Sequence, residues 1–221
     1  MRSVKLSRMV GERSTMSDMG PVDDSPLRTR TPIAWATSVL REPVALLNDH
    51  AHLEKKAAAN SLALLSRYPR SFDGTEAATA WTAAMASIAR DEAEHLQLVL
   101  KHLTRRGGRL TAMHGNPYAA ALHTRIRRGA DELLDRLLVS ALIEARSCER
   151  FEVLAGAAED AELRALYRGL CASERGHFRV FTGLAERVDP AEASVRWTWF
   201  LDEEDRVLAE QSHGPRMHSG A

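Results

Sequence analysis

The stretch that decides the fold is ARDEAEHL, residues 89–96. Glu92 and His95 are three residues apart, so on an α-helix both side chains lie on one face, one turn from each other. The same spacing recurs between Glu174 and His177. Paired Glu-x-x-His motifs on two helices, with one glutamate from each of two others, form the ligand set with which four-helix bundles bind two iron or manganese ions.

Two lone glutamates complete this set, Glu54 before the first pair and Glu144 before the second. Each lies within an apolar stripe of helical period. Alanine and leucine are frequent, while aromatic residues make up only 5% of the chain, which favours helices over strands. The sequence therefore predicts an all-α four-helix bundle. We expect its long helices to begin near Pro43, Asp73, Asp131 and Glu159, with extra helices at about 31–41, 118–126 and 191–210.

Carboxylates that face a bundle core are costly unless something neutralises them. Taken alone, each lone glutamate is explained equally well by a salt bridge. Glu54 could pair with Lys55, Lys56 or a neighbouring arginine. Glu144 could pair with Arg146 or Arg150. A third Glu-x-x-His, residues 210–213, lies outside any apolar stripe and is interpreted as coincidence. The alternating order of all six residues favours a metal site instead.

In that site Glu92 and Glu174 would bridge the two ions, and Glu54 and Glu144 would be terminal carboxylates. Nitrogen ligation would come from His95 and His177. Mixed carboxylate and imidazole ligands favour iron or manganese over a closed zinc site. Six other residues near the motifs are assigned lesser roles: supporting or surface groups (Asp49, His50, His52), a small buried side chain (Cys148) and solvated partners of arginines (Glu149, Glu152).

Composition limits the class of protein. A chain of 221 residues suits one domain: we expect a disordered leader or a mis-assigned start at 1–30, the bundle at 31–210 and a flexible tail at 211–221. No apolar run approaches the roughly 20 residues of a membrane helix. The N-terminus has no compact apolar segment, so we expect no secretory signal. Two cysteines without a Cys-x-x-Cys motif exclude a disulfide framework and indicate a reduced, cytoplasmic protein.

Basic residues are concentrated in one segment although the formal net charge is zero. Residues 96–130 contain no acidic residue. Clustered positive charge is typical of a surface that binds nucleic acid, and a solvated basic face is the alternative. The candidate contacts are Lys101, Arg105, Arg106, Arg109, Arg125, Arg127 and Arg128.

With these residues placed, the chain resembles the MiaE family, the tRNA 2-methylthio-N6-isopentenyladenosine hydroxylases. The similarity covers about residues 31–210, and its most specific part is IEARSCERF at 143–151. The family pattern leads us to expect cysteine where this chain has Leu53. The other matching stretches are DHAHLEKKAA at 49–58, YP at 68–69, DEAEH at 91–95, YRGL at 167–170 and SERGHF at 173–178.

The resemblance implies a ferritin-like bundle with a non-haem diiron centre. It implies O2-dependent hydroxylation of the isopentenyl group of the modified adenosine at position 37 of tRNA, with electrons from a separate reductase. The anticodon loop is single-stranded, so its base can be presented without opening a duplex. The basic segment would then contact phosphates of the tRNA. We also expect the protein to be a monomer or small oligomer. The alternatives are a diiron oxygenase acting on a small molecule or lipid such as a fatty aldehyde, ferritin-type iron storage, and a tRNA-binding module with a vestigial metal site.

Overall fold

The computed structural model describes residues 25–221, which contain seven α-helices and no β-strand. Four long helices form two packed pairs, the second helix with the third and the fifth with the sixth, and the third also packs on the sixth. This arrangement confirms the predicted all-α, ferritin-like four-helix bundle with extra short helices. The helices are α1 (Ile33–Val39), α2 (Pro43–Leu64), α3 (Glu76–Arg105), α4 (Pro117–His123), α5 (Glu132–Ala157), α6 (Ala161–Val188) and α7 (Pro190–Ala209).

Local sequence determines where these helices begin and end. The Asp160 carboxylate accepts hydrogen bonds from the first backbone amides of α6, and Asp189 does the same for α7, which starts with Pro190. At the end of α3, Gly107 adopts a φ of 76°, a left-handed conformation that a side chain would disfavour. Only three residues, 158–160, join α5 to α6, and these two helices pack closely against each other.

The long connection between α3 and α5 crosses the bundle. It runs first along α2, where the Thr111 amide donates to Asn48 and the His114 ring donates to Asp49 at 2.6 Å. It then forms α4, whose first turn is capped by Asn116, and α4 packs on α5 and α7. This path places α4 beside the space between α2 and α5.

Each long helix has apolar residues on both sides of its predicted ligand. One buried cluster contains Trp81, Met85, Leu137 and Phe181, and the other is built around Leu47, Val99, Phe151 and Leu170. Along every helix the glutamate lies where the chain passes from one cluster to the other. The polar site is therefore held between two hydrophobic cores rather than at the end of one.

The tail differs from the flexible segment predicted for 211–221. Met217 and Ser219 are fully buried. The Met217 amide donates to Asp49 and its carbonyl accepts from Arg150, each at 2.8 Å, while the Trp35 indole donates to Ser219. The tail is ordered because buried charged side chains satisfy its backbone, a long-range pairing that local sequence does not reveal.

The predicted leader is described only in part. Residues 1–24 lie outside the described residues. Of the rest, Leu27 is buried and the Thr29 carbonyl accepts hydrogen bonds from Arg146. Within residues 25–221, no helix combines the length and the apolar character that crossing a bilayer requires.

Candidate metal centre

All six predicted ligands meet in two overlapping groups. Ligand atoms of Glu54, Glu92, His95 and Glu174 lie within 4.8 Å of one another, and the same is true of Glu92, Glu144, Glu174 and His177. Glu92 and Glu174, the two residues predicted to bridge the ions, belong to both groups. Each remaining carboxylate and histidine belongs to one group, as expected for terminal ligands.

Several atoms in these groups are buried without a hydrogen-bond partner. The Nδ1 atom of His177 is 2.8 Å from a Glu92 oxygen, and Nδ1 of His95 is 3.3 Å from a Glu174 oxygen. Nevertheless both Nδ1 atoms and that Glu92 oxygen, Oε1, form no properly oriented hydrogen bond. Buried polar atoms left unsatisfied require an explanation. Cations bound among them would provide it, and the donor set suits iron or manganese.

The salt-bridge explanation of the glutamates is not supported. Lys56 donates to His114, and Arg150 donates to a backbone carbonyl of the tail. Arg146 pairs instead with Glu149 and Glu204. Across residues 25–221, no lysine or arginine forms an ion pair with any of the four predicted ligand carboxylates.

Burial and mutual repulsion perturb the acids strongly. Burial, reinforced by the charge of Glu174, raises the pKa of Glu92 to about 8. Burial also raises the pKa of Glu144 well above its usual range, again with a contribution from Glu174. For Glu54 burial acts in the same direction, but the charge and hydrogen bond of His50 outweigh it and lower the pKa to about 2. The metal-free site thus keeps protons on some of its acids.

The histidines respond in the opposite sense. Burial alone would lower the pKa of His95, but the nearby carboxylates of Glu174 and Glu54 outweigh it and raise the pKa to about 12. For His177 burial is likewise outweighed by Glu174 and Glu92, and its pKa rises to about 10. Both rings would have to lose a proton before binding a metal.

We expect Glu92 to make the metal-free protein less stable as the pH rises from about 5 to about 8. The ordinary pKa of Glu92 is 4.5, and in the fold it is about 8. Unfolding therefore releases a proton in this window, which favours the unfolded chain at higher pH. Thermal unfolding of the chelated protein at several pH values measures the trend. Glu92→Gln is the control, because it removes this contribution and keeps that of the buried histidines whose lowered pKa values act in the opposite sense. The same pH trend in wild-type protein and in Glu92→Gln would contradict the placement of Glu92.

Among the residues assigned lesser roles, Glu149 differs from its prediction, whereas His50 and Cys148 agree with theirs. His50 is fully buried, and its Nε2 lies 2.5 Å from a Glu54 oxygen, so it supports that ligand rather than lying at the surface. Glu149, predicted to be solvated, is buried between Arg146 and Thr31. Cys148 is buried as predicted, with its sulfur 2.8 Å from that of Cys171, and both are free thiols.

A cavity of about 140 Å³ leads to the glutamates from between α2, α4 and α5. Its apolar walls include Leu53, the position where the family pattern predicts cysteine. We call its outer polar residues the rim. No sequence pattern predicts the rim, because its members come from three separate elements: Lys56, Asn60, Asn116, His123 and Ser140.

The seven predicted RNA-binding residues do not form one patch. Arg106 pairs with Asp160 at the start of α6, whereas Arg127 pairs with Asp135 at the start of α5. The 26 residues of α5 separate these ends by about 39 Å. Two further members are ion-paired, Arg105 with Glu162 and Arg125 with Glu203. The exposed members with no described side-chain hydrogen bond or ion pair are Lys101, Arg109 and Arg128.

Comparison with known proteins gives concordant results. A family model described as tRNA-(MS2IO6A)-hydroxylase (MiaE) matches residues 19–219. Two curated relatives are both called tRNA 2-(methylsulfanyl)-N(6)-isopentenyladenosine(37) hydroxylase. The one from Pseudomonas putida is 34% identical over 90% of this chain and 95% of its own length. The one from Salmonella typhimurium is 26% identical over 88% of this chain and 87% of its own length.

A solved structure is also similar. It is described as protein 43 with aldehyde deformylating oxygenase activity from Synechococcus. The two chains are 35% identical with a TM-score of 0.79, and the match covers 88% of this chain and 96% of the other. The fold and the sequence therefore match over nearly the same extent.

Proposed function

Because the chain belongs to the MiaE family of tRNA hydroxylases, we propose that it holds two iron ions and hydroxylates the isopentenyl group of 2-(methylsulfanyl)-N6-isopentenyladenosine at position 37 of tRNA. The observation that carries the metal assignment is the pair of overlapping ligand groups with buried, unpartnered atoms. The ligands we assign are Glu54, Glu92, His95, Glu144, Glu174 and His177.

The chain's own residues supply a charged site in an apolar surrounding. Four carboxylates would neutralise two divalent ions, and Glu92 and Glu174, which belong to both ligand groups, would contact both ions. When bound, iron would supply the activation of O2 that insertion of one oxygen atom into a C–H bond requires. The apolar cavity walls, among them Leu53, Ile143 and Phe151, exclude water from the group being oxidised.

The size of the cavity favours an isopentenyl substrate. A cavity of about 150 Å³ in another protein takes up benzene. At about 140 Å³, this one suits a five-carbon group and is too small for a whole nucleoside. We infer that the isopentenyl group enters the cavity while the adenine remains at the rim.

The reaction also needs partners from outside the chain. Hydroxylation consumes O2, two electrons and two protons, and forms the alcohol and water. An electron-transfer reductase would provide the electrons. The macromolecular substrate would be the tRNA anticodon loop, whose single-stranded base can reach the rim, and the reaction would take place in the cytoplasm where tRNA is found.

A second candidate function is oxidation of an aldehyde. It is favoured by the similar structure, which is described as having aldehyde deformylating oxygenase activity. The small cavity argues against a long-chain aldehyde, because only a short part of such a chain would fit.

Mass analysis of nucleosides tests the two candidates directly. Iron-loaded protein is incubated with O2, a chemical reductant and tRNA that carries the modified adenosine, and in parallel with fatty aldehydes. We expect the modified adenosine to gain one oxygen atom and the aldehydes to remain unchanged. Aldehyde turnover without nucleoside oxidation would reverse the assignment.

Salt dependence of tRNA binding locates the RNA surface. Lys56→Gln with Arg128→Gln removes one charge at the rim and one just before α5, and Lys101→Gln with Arg109→Gln removes two at the end of α3. Each lost phosphate contact should reduce the slope of log affinity against log salt by about 0.7 to 0.9. We expect the first pair of substitutions to reduce the slope by nearly the amount expected for two lost contacts, and the second pair to reduce it by less. Unchanged slopes in both would exclude these residues as phosphate contacts.

A further inference from the structure

The Asn60 side chain has a fixed orientation at the rim. Its Nδ2 atom donates a 2.9 Å hydrogen bond to the Ser140 hydroxyl, which in turn donates at 2.9 Å to the Arg136 carbonyl. Because the only hydrogen of the hydroxyl is engaged, its oxygen can only accept. The amide nitrogen of Asn60, rather than its oxygen, must therefore face α5.

This orientation leaves one donor and one acceptor unused on a side chain that lines the cavity. The second Nδ2 hydrogen and the Oδ1 atom of Asn60 have no described partner. An N6-alkylated adenine keeps one N6–H, which lies next to the N7 acceptor when the alkyl group is on the other side. Asparagine recognises this edge of adenine through two hydrogen bonds. In contrast, the side chain of Asn116 is already used as the cap of α4.

The distance from the ligands also suits this role. Asn60 lies six residues after Glu54 on α2, about 9 Å along the helix axis. The four bonds from N6 to a terminal methyl of an isopentenyl group span about 5 Å. A further 3 to 3.5 Å separates reacting groups in a productive complex. The sum places N6 close to the level of Asn60.

From these three observations we propose that Asn60 recognises the N6–H and N7 edge of the modified adenine and determines how deeply the isopentenyl group enters. Ser140 acts as the positioning residue that holds the amide. The proposal rests on the proposed function, since it assumes an N6-alkylated adenine as substrate.

Binding to metal-free protein tests this without depending on turnover. Two anticodon stem-loops are compared, one with N6-isopentenyladenosine at position 37 and one with its 7-deaza analogue, which lacks the N7 acceptor. We expect wild-type protein to bind the analogue roughly fivefold to tenfold more weakly, the loss of one of two hydrogen bonds. Asn60→Ala should bind the first loop more weakly and lose the preference.

His123→Ala is the matched control, since it alters another rim residue and should keep the wild-type preference. Ser140→Ala should reduce the preference partly, because the amide is then free to rotate. Two results would overturn the inference about Asn60 but leave the proposed substrate intact. In one, Asn60→Ala keeps the full preference for the first loop; in the other, wild-type protein binds both loops equally well. Failure of wild-type protein to bind either loop would overturn the proposed tRNA substrate as well. Circular dichroism and iron content verify that each variant is folded.

Discussion

Glu92→Gln is expected to leave the protein unable to hold either iron ion. Glu92 contributes to both ligand groups, so a neutral amide there weakens both ion sites at once. Iron measured by mass spectrometry after reconstitution should fall from about two ions per chain, the capacity predicted for this ligand set, to near zero. Hydroxylation should be lost with the metal, while helicity is retained.

The same substitution should stabilise the metal-free protein. At pH 7 the buried carboxyl of Glu92 is held protonated against its ordinary pKa of 4.5, because its pKa in the fold is about 8. Removing that cost should increase the free energy of unfolding by roughly 1 to 3 kcal/mol. The melting temperature would then rise by several degrees. A substitution that abolishes iron binding but stabilises the metal-free protein indicates a metal ligand. Replacing a purely structural residue would instead make the protein less stable.

Glu94→Gln is the matched control for this experiment. Glu94 is two residues away on α3, and its side chain is 70% exposed. Its replacement should change neither the iron content nor the melting temperature. Two iron ions per chain retained by Glu92→Gln would contradict the assignment of Glu92.

The bundle and the six candidate ligands were predictable because both depend on helical periodicity. A residue three or four positions from an apolar neighbour lies on the same face, so Glu92 and His95 could be placed together from spacing alone. Their position between two apolar clusters follows from the stripes on either side of each glutamate. Spacing within a helix is local information, and the four long helices and their ligands can be predicted from little else.

Features that depend on contacts between distant segments were not predictable. The basic residues are close in sequence, but the connection that carries them crosses the bundle and divides them between its two ends. The order of the tail depends on Asp49, 168 residues away from Met217. The rim likewise combines α2, α4 and α5. No periodic pattern reports such pairings, because each involves only one or two residues of each segment.

Ala57→Phe is expected to abolish hydroxylation while leaving the iron bound. Ala57 lines the cavity, one turn beyond Glu54 on α2. A phenyl ring there would occupy most of a space of about 140 Å³, so the isopentenyl group could not approach the site. Since displacement of a substrate by about 1 Å can cost a factor of about 100 in rate, we expect at least that loss in turnover of the modified tRNA.

The matched control is Ala59→Phe, which adds the same ring to the exposed side of the same helix. That variant should keep both its iron and its turnover. Iron content separates the explanations, because a ring that distorted the ligands would lower iron and turnover together, whereas a blocked cavity lowers turnover only. If Ala57→Phe keeps its iron and hydroxylates tRNA at the wild-type rate, the isopentenyl group must reach the metal by another path, and the role assigned to this cavity is wrong.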